Sequence, residues 1–217
     1  MADFVKTAGG VAVPKTDLFE NIITSSEERR WNREGRIFSS GGGVLNTLET
    51  VTATTLIRQQ PFAFIRVPAS IVIIPLSVVI VFGATGAAVN QTLISVCDND
   101  PGTSNSVLAV PKCVNTRYAG KVSSVNFYAT NTGATGTAPT NVSDLFRTYM
   151  QADQDAITGA PTPPIVYKPS VGLGQEAIVG SSGAVNAFLV YLSNGTSSTA
   201  FVIATWAEFT YAEIYGT

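Results

Sequence analysis

The chain has 217 residues, 45% of them hydrophobic and only 13% charged, with a formal net charge of -2. That length supports a sizeable core, the apolar content excludes disorder over most of the chain, and the charge balance leaves no global positive field for a polyanion. Histidine is absent, which removes Ser-His-Asp and Cys-His nucleophiles, imidazole acid–base chemistry and every His-containing zinc site.

The opening, Met1 to Lys6, lacks a basic stretch followed by an apolar run, so no secretory leader is expected. Residues 1–50 read as an N-terminal arm, with little continuous apolar sequence and glycine runs at Gly9-Gly10 and Gly41-Gly42-Gly43. Within it, Leu18, Ile22 and Ile23 recur at one-turn spacing, which predicts a short helix between Asp17 and Trp31, with Ser25-Ser26-Glu27-Glu28 able to start a second turn. Arg29, Arg30, Arg33 and Arg36 surround Trp31. Guanidinium groups beside an indole suit phosphates and bases, but Glu27, Glu28 and Glu34 neutralise most of the charge. The stretch is therefore assigned to contact between subunits, with two alternatives beside it: a solvated helix carrying a docked Trp31, and a nucleic-acid tether. Gly35 and Ser39 to Gly43 read as a flexible hinge.

From Val51 the pattern turns to β, and residues 51–217 read as one domain. Strands are expected at Val51–Arg58, Phe62–Val67, Ile71–Phe82 with a bend at Pro75, Thr92–Cys97, Val107–Val110 and Val122–Ala129, then at Ile165–Tyr167, Glu176–Val179, Val185–Leu192 and Ala200–Ile214. Short strands separated by Gly, Pro, Asn and Thr loops predict an all-β antiparallel sandwich or barrel of about eight to ten strands. One short inserted helix is expected from Asp144 to Met150, capped by Ser143. Pro68 to Cys97 carries no charge, but Pro75 and the polar residues from Gly83 to Thr92 argue against a membrane span.

Cys97 and Cys113 flank the turn sequence Asp98-Asn99-Asp100-Pro101-Gly102, which allows either a disulfide across a hairpin-like loop or two buried free thiols. A calcium loop fails there, because Thr103 and Ala109 stand where glycine and glutamate are needed. Asp153 and Asp155 read as a solvated helix end rather than a catalytic pair. No enzyme, catalytic residue, metal or cofactor is expected. The last strand carries large residues on both faces, Phe201, Ile203, Phe209 and Tyr211 against Val202, Trp206 and Ile214. Such a strand needs a second covering layer, from the arm or from another subunit. Glu208 is expected either to pair with a base such as Arg66 or to face solvent.

The arginine-bearing arm, the glycine-rich hinge, Arg66-Val67-Pro68 leading into Ile71-Val72-Ile73-Ile74-Pro75-Leu76, and the terminal Thr205-Trp206-Ala207-Glu208 resemble a single jelly-roll capsid protein of a non-enveloped virus or phage. The resemblance implies a jelly-roll sandwich of about eight strands with an extended arm. It also implies a shell subunit made in the host cytoplasm and carried in the virion, whose partners are copies of itself and other virion proteins. The arm departs from strongly basic genome-binding arms, so nucleic-acid contact is expected to be weak or absent. Low charge and Thr-, Ser- and Gly-rich loops independently suit large uncharged contacts between copies. The alternative is a receptor- or carbohydrate-binding module of a tail or spike, with Tyr118, Tyr128, Tyr191 or Trp206 exposed in a cleft.

Overall fold

The computed structural model describes residues 4–6, 12–14, 27–42, 48–53, 55–83, 89–102, 107–129, 137–151, 164–169, 176–194 and 198–216. In chain order the strands are β1 (Phe4–Lys6), β2 (Ala12–Pro14), β3 (Ile37–Gly41), β4 (Glu49–Val51), β5 (Ala63–Val67), β6 (Ile71–Phe82), β7 (Val89–Cys97) and β8 (Val107–Ala109). They continue with β9 (Lys112–Cys113), β10 (Asn126–Ala129), β11 (Ser143–Gln151), β12 (Ile165–Tyr167), β13 (Val179–Gly180), β14 (Asn186–Asn194) and β15 (Ser198–Thr210). Two helices, α1 (Glu27–Arg33) and α2 (Tyr211–Tyr215), complete the set.

The fold is an all-β sandwich of two antiparallel sheets. One has six strands in the order β11-β7-β14-β5-β10-β8. The other has seven, β12-β6-β15-β3-β9, with β13 added against β6 and β4 against β15. Eight of these strands form four nested pairs: β3 with β15, β5 with β14, β6 with β12, and β7 with β11. Two further pairings, β15 with β6 and β14 with β7, stitch neighbouring pairs into the two sheets. The chain therefore winds as one long antiparallel hairpin rolled over itself. The excursion between β7 and β11 adds β8 and β10 beyond β5, and β9 beyond β3.

Alternation along the strands builds the core. Ile73, Val78, Ile80, Val202, Ala204 and Trp206 from one sheet face Ile65, Ile94, Phe127, Phe188 and Val190 from the other, all buried. Trp206 is stacked on Phe127 across the gap, with ring centroids 6.5 Å apart. Strand β6 runs unbroken through Pro75, as the sequence predicts, because the register shifts there: Thr205 pairs with Ser77 and Trp206 with Pro75, leaving Leu76 as the extra residue. A bulge tolerates a residue with no N–H to donate. Leu76 lies with Ile74 on the outer face, and the extra residue turns Val78 and Ile80 back to the core face of Ile73.

The structure corrects several expectations. Ser143 to Met150 is not a helix but most of strand β11. A register shift between Asp144 and Phe146 lets Leu145 and Phe146 both pack on the core, and Ser143 and Asp144, which read as a helix cap and first turn, open the strand instead. Residues 37–41, read as arm and hinge, are a strand paired with β15. Gly42 is needed for close approach, because a side chain there would collide with the Ala129 methyl. The last strand ends at Thr210 rather than Ile214, and α2 follows. Of the strand expected at Val51–Arg58, Val51 alone among the described residues is β, as the last residue of β4. Among the described residues no helix is long and apolar enough to cross a membrane. Of the helix expected from Asp17, residues 17–26 lie outside the described residues, as do Asp153 and Asp155.

Candidate functional site

The arginine–tryptophan stretch forms α1, with Glu27 and Glu28 in its first turn and Arg30 and Arg33 in its last, each sign matched to the helix dipole. Seven residues are too few for a helix to persist alone. Its anchor is Trp31, which is 4% exposed and sits edge-on to Phe209, with ring centroids 5.2 Å apart. The helix ends in a paired return: Gly35 N–H donates to Asn32 O and Arg36 N–H to Trp31 O. Gly35 has φ +66°, and a Cβ there would lie 2.6 Å from the Tyr118 ring, so only glycine fits.

Trp31, Ile37, Ile74, Leu76, Ala207 and Phe209 make a second apolar cluster on the outer face of the seven-stranded sheet. The chain's own segment thus covers the outer face of the last strand at Ala207 and Phe209, whereas Ile203, farther along the same face, is 36% exposed. Trp31 offers no free ring face to a base.

Arg36 ties this layer to α2. Its two terminal nitrogens donate to the Glu213 carboxylate at 2.6 and 3.1 Å, and its Nε donates to Glu34 at 2.8 Å. The guanidinium also lies 5.0 Å from the Phe209 ring centre. Glu213 closes a capping box with Thr210, accepting from the Thr210 N–H at 2.8 Å while Thr210 Oγ1 accepts from the Glu213 N–H. The hydrogen bonds from Arg36, and then from Thr210, hold the Glu213 carboxyl down from 4.5 to about 2. A depressed acid stabilises the fold fully above its unfolded value of 4.5, and that contribution is lost as pH falls through about 2. The Glu213 side chain is 41% exposed, so solvent screening limits the effect to about 1 kcal/mol or less. Glu213→Gln should lower the melting temperature by about 2–4 °C at pH 7, with the gap to the parent protein closing as pH is taken from 4.5 toward 2. A gap constant over that range, read by circular dichroism melts, would contradict this role.

Between α1 and α2 lies an open groove of about 360 Å³. Its floor is Trp31, Ile74, Ile178, Phe209 and Ile214. Its rim carries Glu27, Glu34, Glu176 and Glu213 with Arg30 and Arg36. Arg30 reaches Glu34 at 3.8 Å across one helical turn. Arg29 and Arg33 also lie on α1, and both make contacts of their own. Of the five residues singled out in the sequence, Arg30, Trp31 and Arg36 meet at this groove. The sequence reading missed the contributions of Ile178, Glu176 and Glu213. Glu213 was legible in Thr210-Tyr211-Ala212-Glu213, which has the spacing of a capping box.

A smaller hollow of about 160 Å³ on the outer face of the six-stranded sheet is lined by Leu56, Arg58, Leu93, Asp144, Arg147 and Tyr191. Arg58 grips Asp144 through two nitrogens at 2.7 and 2.9 Å, and Ser95 donates to the same carboxylate at 2.7 Å. Asp144 is therefore held below the usual carboxylate range, chiefly by the hydrogen bond from Arg58. Tyr191 donates to the Arg58 carbonyl, and burial pushes its phenol up. A two-pronged ion pair and a buried phenol bonded to the Arg58 carbonyl tie together the side chains around this hollow.

Cys97 and Cys113 are both buried free thiols. Cys97 lies with Phe64 and Tyr191 on the outer face of the six-stranded sheet, whereas Cys113 sits in the core between the sheets. Cys113 donates to Gly35 O, and Cys97 to Asn99 O. The second of the two sequence readings is the one found. Asp100 forms the expected turn, accepting from the Gly102 N–H, and pairs with Arg66 at 2.6 Å. Glu208 neither pairs with Arg66 nor lies free, since it accepts from Ser123 Oγ and the Ser124 N–H. Trp206 is 0% exposed in the core between the sheets, and Tyr191, which borders the smaller hollow, is only 1% exposed, so neither is the exposed cleft residue expected of a ligand-binding module. Tyr128 stacks on Phe64 at 4.8 Å. Among the described residues no group of three or more Cys, Asp or Glu side chains is placed to hold a metal. Compared with protein-family models, curated proteins and solved structures, the chain matches none.

Proposed function

We propose that this chain is a capsid subunit of a non-enveloped virus or phage, which builds a shell from copies of itself. The observation that carries the reading is the nested strand order, with first and last, second and seventh, third and sixth, and fourth and fifth of eight strands paired. This nesting supports the reading of the sandwich as a jelly roll, a fold used by viral shells as well as by lectins. Because one fold serves many functions, the surface must discriminate between them. Leu108, Val110, Val114 and Val122 are 53%, 63%, 47% and 80% exposed. Leu108 and Val110 lie in and just after β8, the edge strand of the six-stranded sheet, and Val114 directly follows β9, the edge strand of the other, while Val122 lies in the connection from β9 to β10. Exposed apolar side chains at and beside open sheet edges favour contact with another protein surface over a solvated glycan site.

The test is negative-stain microscopy with sedimentation velocity on the purified full chain. Regular shells or capsomer-like oligomers are expected. A monomer at every salt concentration and pH would sink the reading, and a small discrete oligomer that binds glycans would favour the receptor- or carbohydrate-binding module.

A further inference from the structure

We infer that copies of this chain join head to tail, the β8–β9 margin of one set against the β11–β12 margin of the next. The inference rests on the assembly reading and names the contact that would serve it. Strands β8 and β9 are the last of the six- and seven-stranded sheets on one side, and β11 and β12 are the last on the other. The chain passes from β8 to β9 through Val110 and Pro111. Along this margin side chains alternate, with Leu108, Val110, Lys112 and Val114 exposed and Pro111 and Cys113 buried. Arg117, Lys121 and Val122 are exposed just beyond. Between Asp100 and Asp144 the chain holds these three bases and no acid. Among the described residues none of the three enters an ion pair, although Lys121 Nζ lies 5.8 Å from the Phe38 ring centre. The nearby Glu208 carboxylate is taken by Ser123 and Ser124.

The opposite margin is complementary. Strands β11 and β12 lie side by side there, the Phe146 and Tyr167 rings 5.6 Å apart, with Tyr149 and Val166 exposed. Between Arg147 and Lys168, on the stretch that joins these strands, the chain carries Asp153 and Asp155 and no base. One chain cannot bring its own two margins together, because four strands of one sheet and three of the other lie between them. The occupant is therefore a second copy. A two-fold contact of the basic margin with itself would set bases against bases, and a lysine on an edge strand already opposes pairing of like edges. The exposed valines between the bases offer nothing to a phosphate backbone, which disfavours nucleic acid. A heterologous contact of this kind, repeated, closes a ring or extends as an array.

The experiment uses the full chain, mixed in equal parts from nitrogen-14 and nitrogen-15 preparations and treated with a zero-length carbodiimide that joins amines to carboxylates in contact. Mass spectrometry should find Lys112 or Lys121 linked to Asp153 or Asp155 in peptides of mixed isotope. Such links confined to peptides of one isotope, links to other carboxylates alone, or no link at all would overturn the inference. In parallel, Lys112→Glu with Lys121→Glu should weaken self-association by about tenfold or more without lowering the melting temperature, since both lysines are exposed. Adding Asp153→Lys with Asp155→Lys should restore association, and failure of this second pair to rescue would overturn the charge-pairing argument. Capture of anionic vesicles or single-stranded DNA through the same lysines, with no mixed-isotope link, would give the margin to a lipid surface or a nucleic acid and also overturn it. Shells that form without these links would leave the capsid reading standing and remove only this contact. Mixed-isotope links in a chain that stops at a dimer would do the reverse.

Discussion

Deleting residues 1–41 should leave a chain that does not fold, whereas deleting residues 1–26 should leave one that melts in a single transition. The larger deletion takes Trp31, Ile37 and Phe38, which are 4%, 7% and 1% exposed. Removing a buried side chain of this kind costs about 2–5 kcal/mol, so three of them approach the whole stability of a typical domain, about 5–15 kcal/mol. The same deletion strips β3 from the side of β15, leaving the backbone from Ile203 to Ala207 without its partner strand. It also frees Glu213 from Arg36. The smaller deletion stops before α1 and touches none of these contacts. Circular dichroism melts and sedimentation of the two truncations make the comparison. A cooperative transition in the larger truncation would show that β3 and Trp31 are an appendage.

Trp206→Ala should be the most damaging single substitution, at about 3–5 kcal/mol. The indole is 0% exposed and stacked on Phe127 of the facing sheet, so truncation opens a cavity where the two sheets meet. Trp206→Phe should cost much less, about 1–2 kcal/mol. The benzyl ring preserves most of the stacking, and the change removes an indole N–H that is buried without a hydrogen-bond partner. For a chain of this size the alanine variant should melt about 6–20 °C lower. Equal losses for the two variants would mean that the indole N–H is satisfied in solution.

Strand positions were legible wherever β-branched residues ran continuously. Ile71 to Phe82 and Ile165 to Tyr167 were read with both ends in place, because each is stiff, apolar and bounded by turn residues. What failed has a common physical origin in contacts distant in sequence. Ser143 and Asp144 carry the chemistry of a helix start, but Asp144 is held instead by Arg58 and Ser95, the latter on the neighbouring strand β7, and the segment pairs with β7. Gly41 and Gly42 looked like a hinge because glycine in isolation signals freedom, whereas here it admits the close passage of β3 against Val202 and Ala129. The candidate groove was half visible. Trp31 and its arginines are conspicuous in sequence, but Ile178, Phe209 and Glu213 reach the same place only through the pairing of β13 and β15 with β6.

The nesting of the strands governs the order in which the protein can become itself. Residues 37–41 find their partner only in residues 203–207, close to the end of the chain. While the chain emerges from the ribosome, the apolar run from Ile71 to Phe82 must wait for β15, its longest partner, to be made. Pairings so far apart in sequence are slow to form, and an unpaired apolar strand is prone to aggregate in the meantime. The sheet therefore closes only once β15, the shared partner of β3 and β6, has been made. A copy truncated before Ser198 lacks that strand altogether and leaves both β3 and β6 without it.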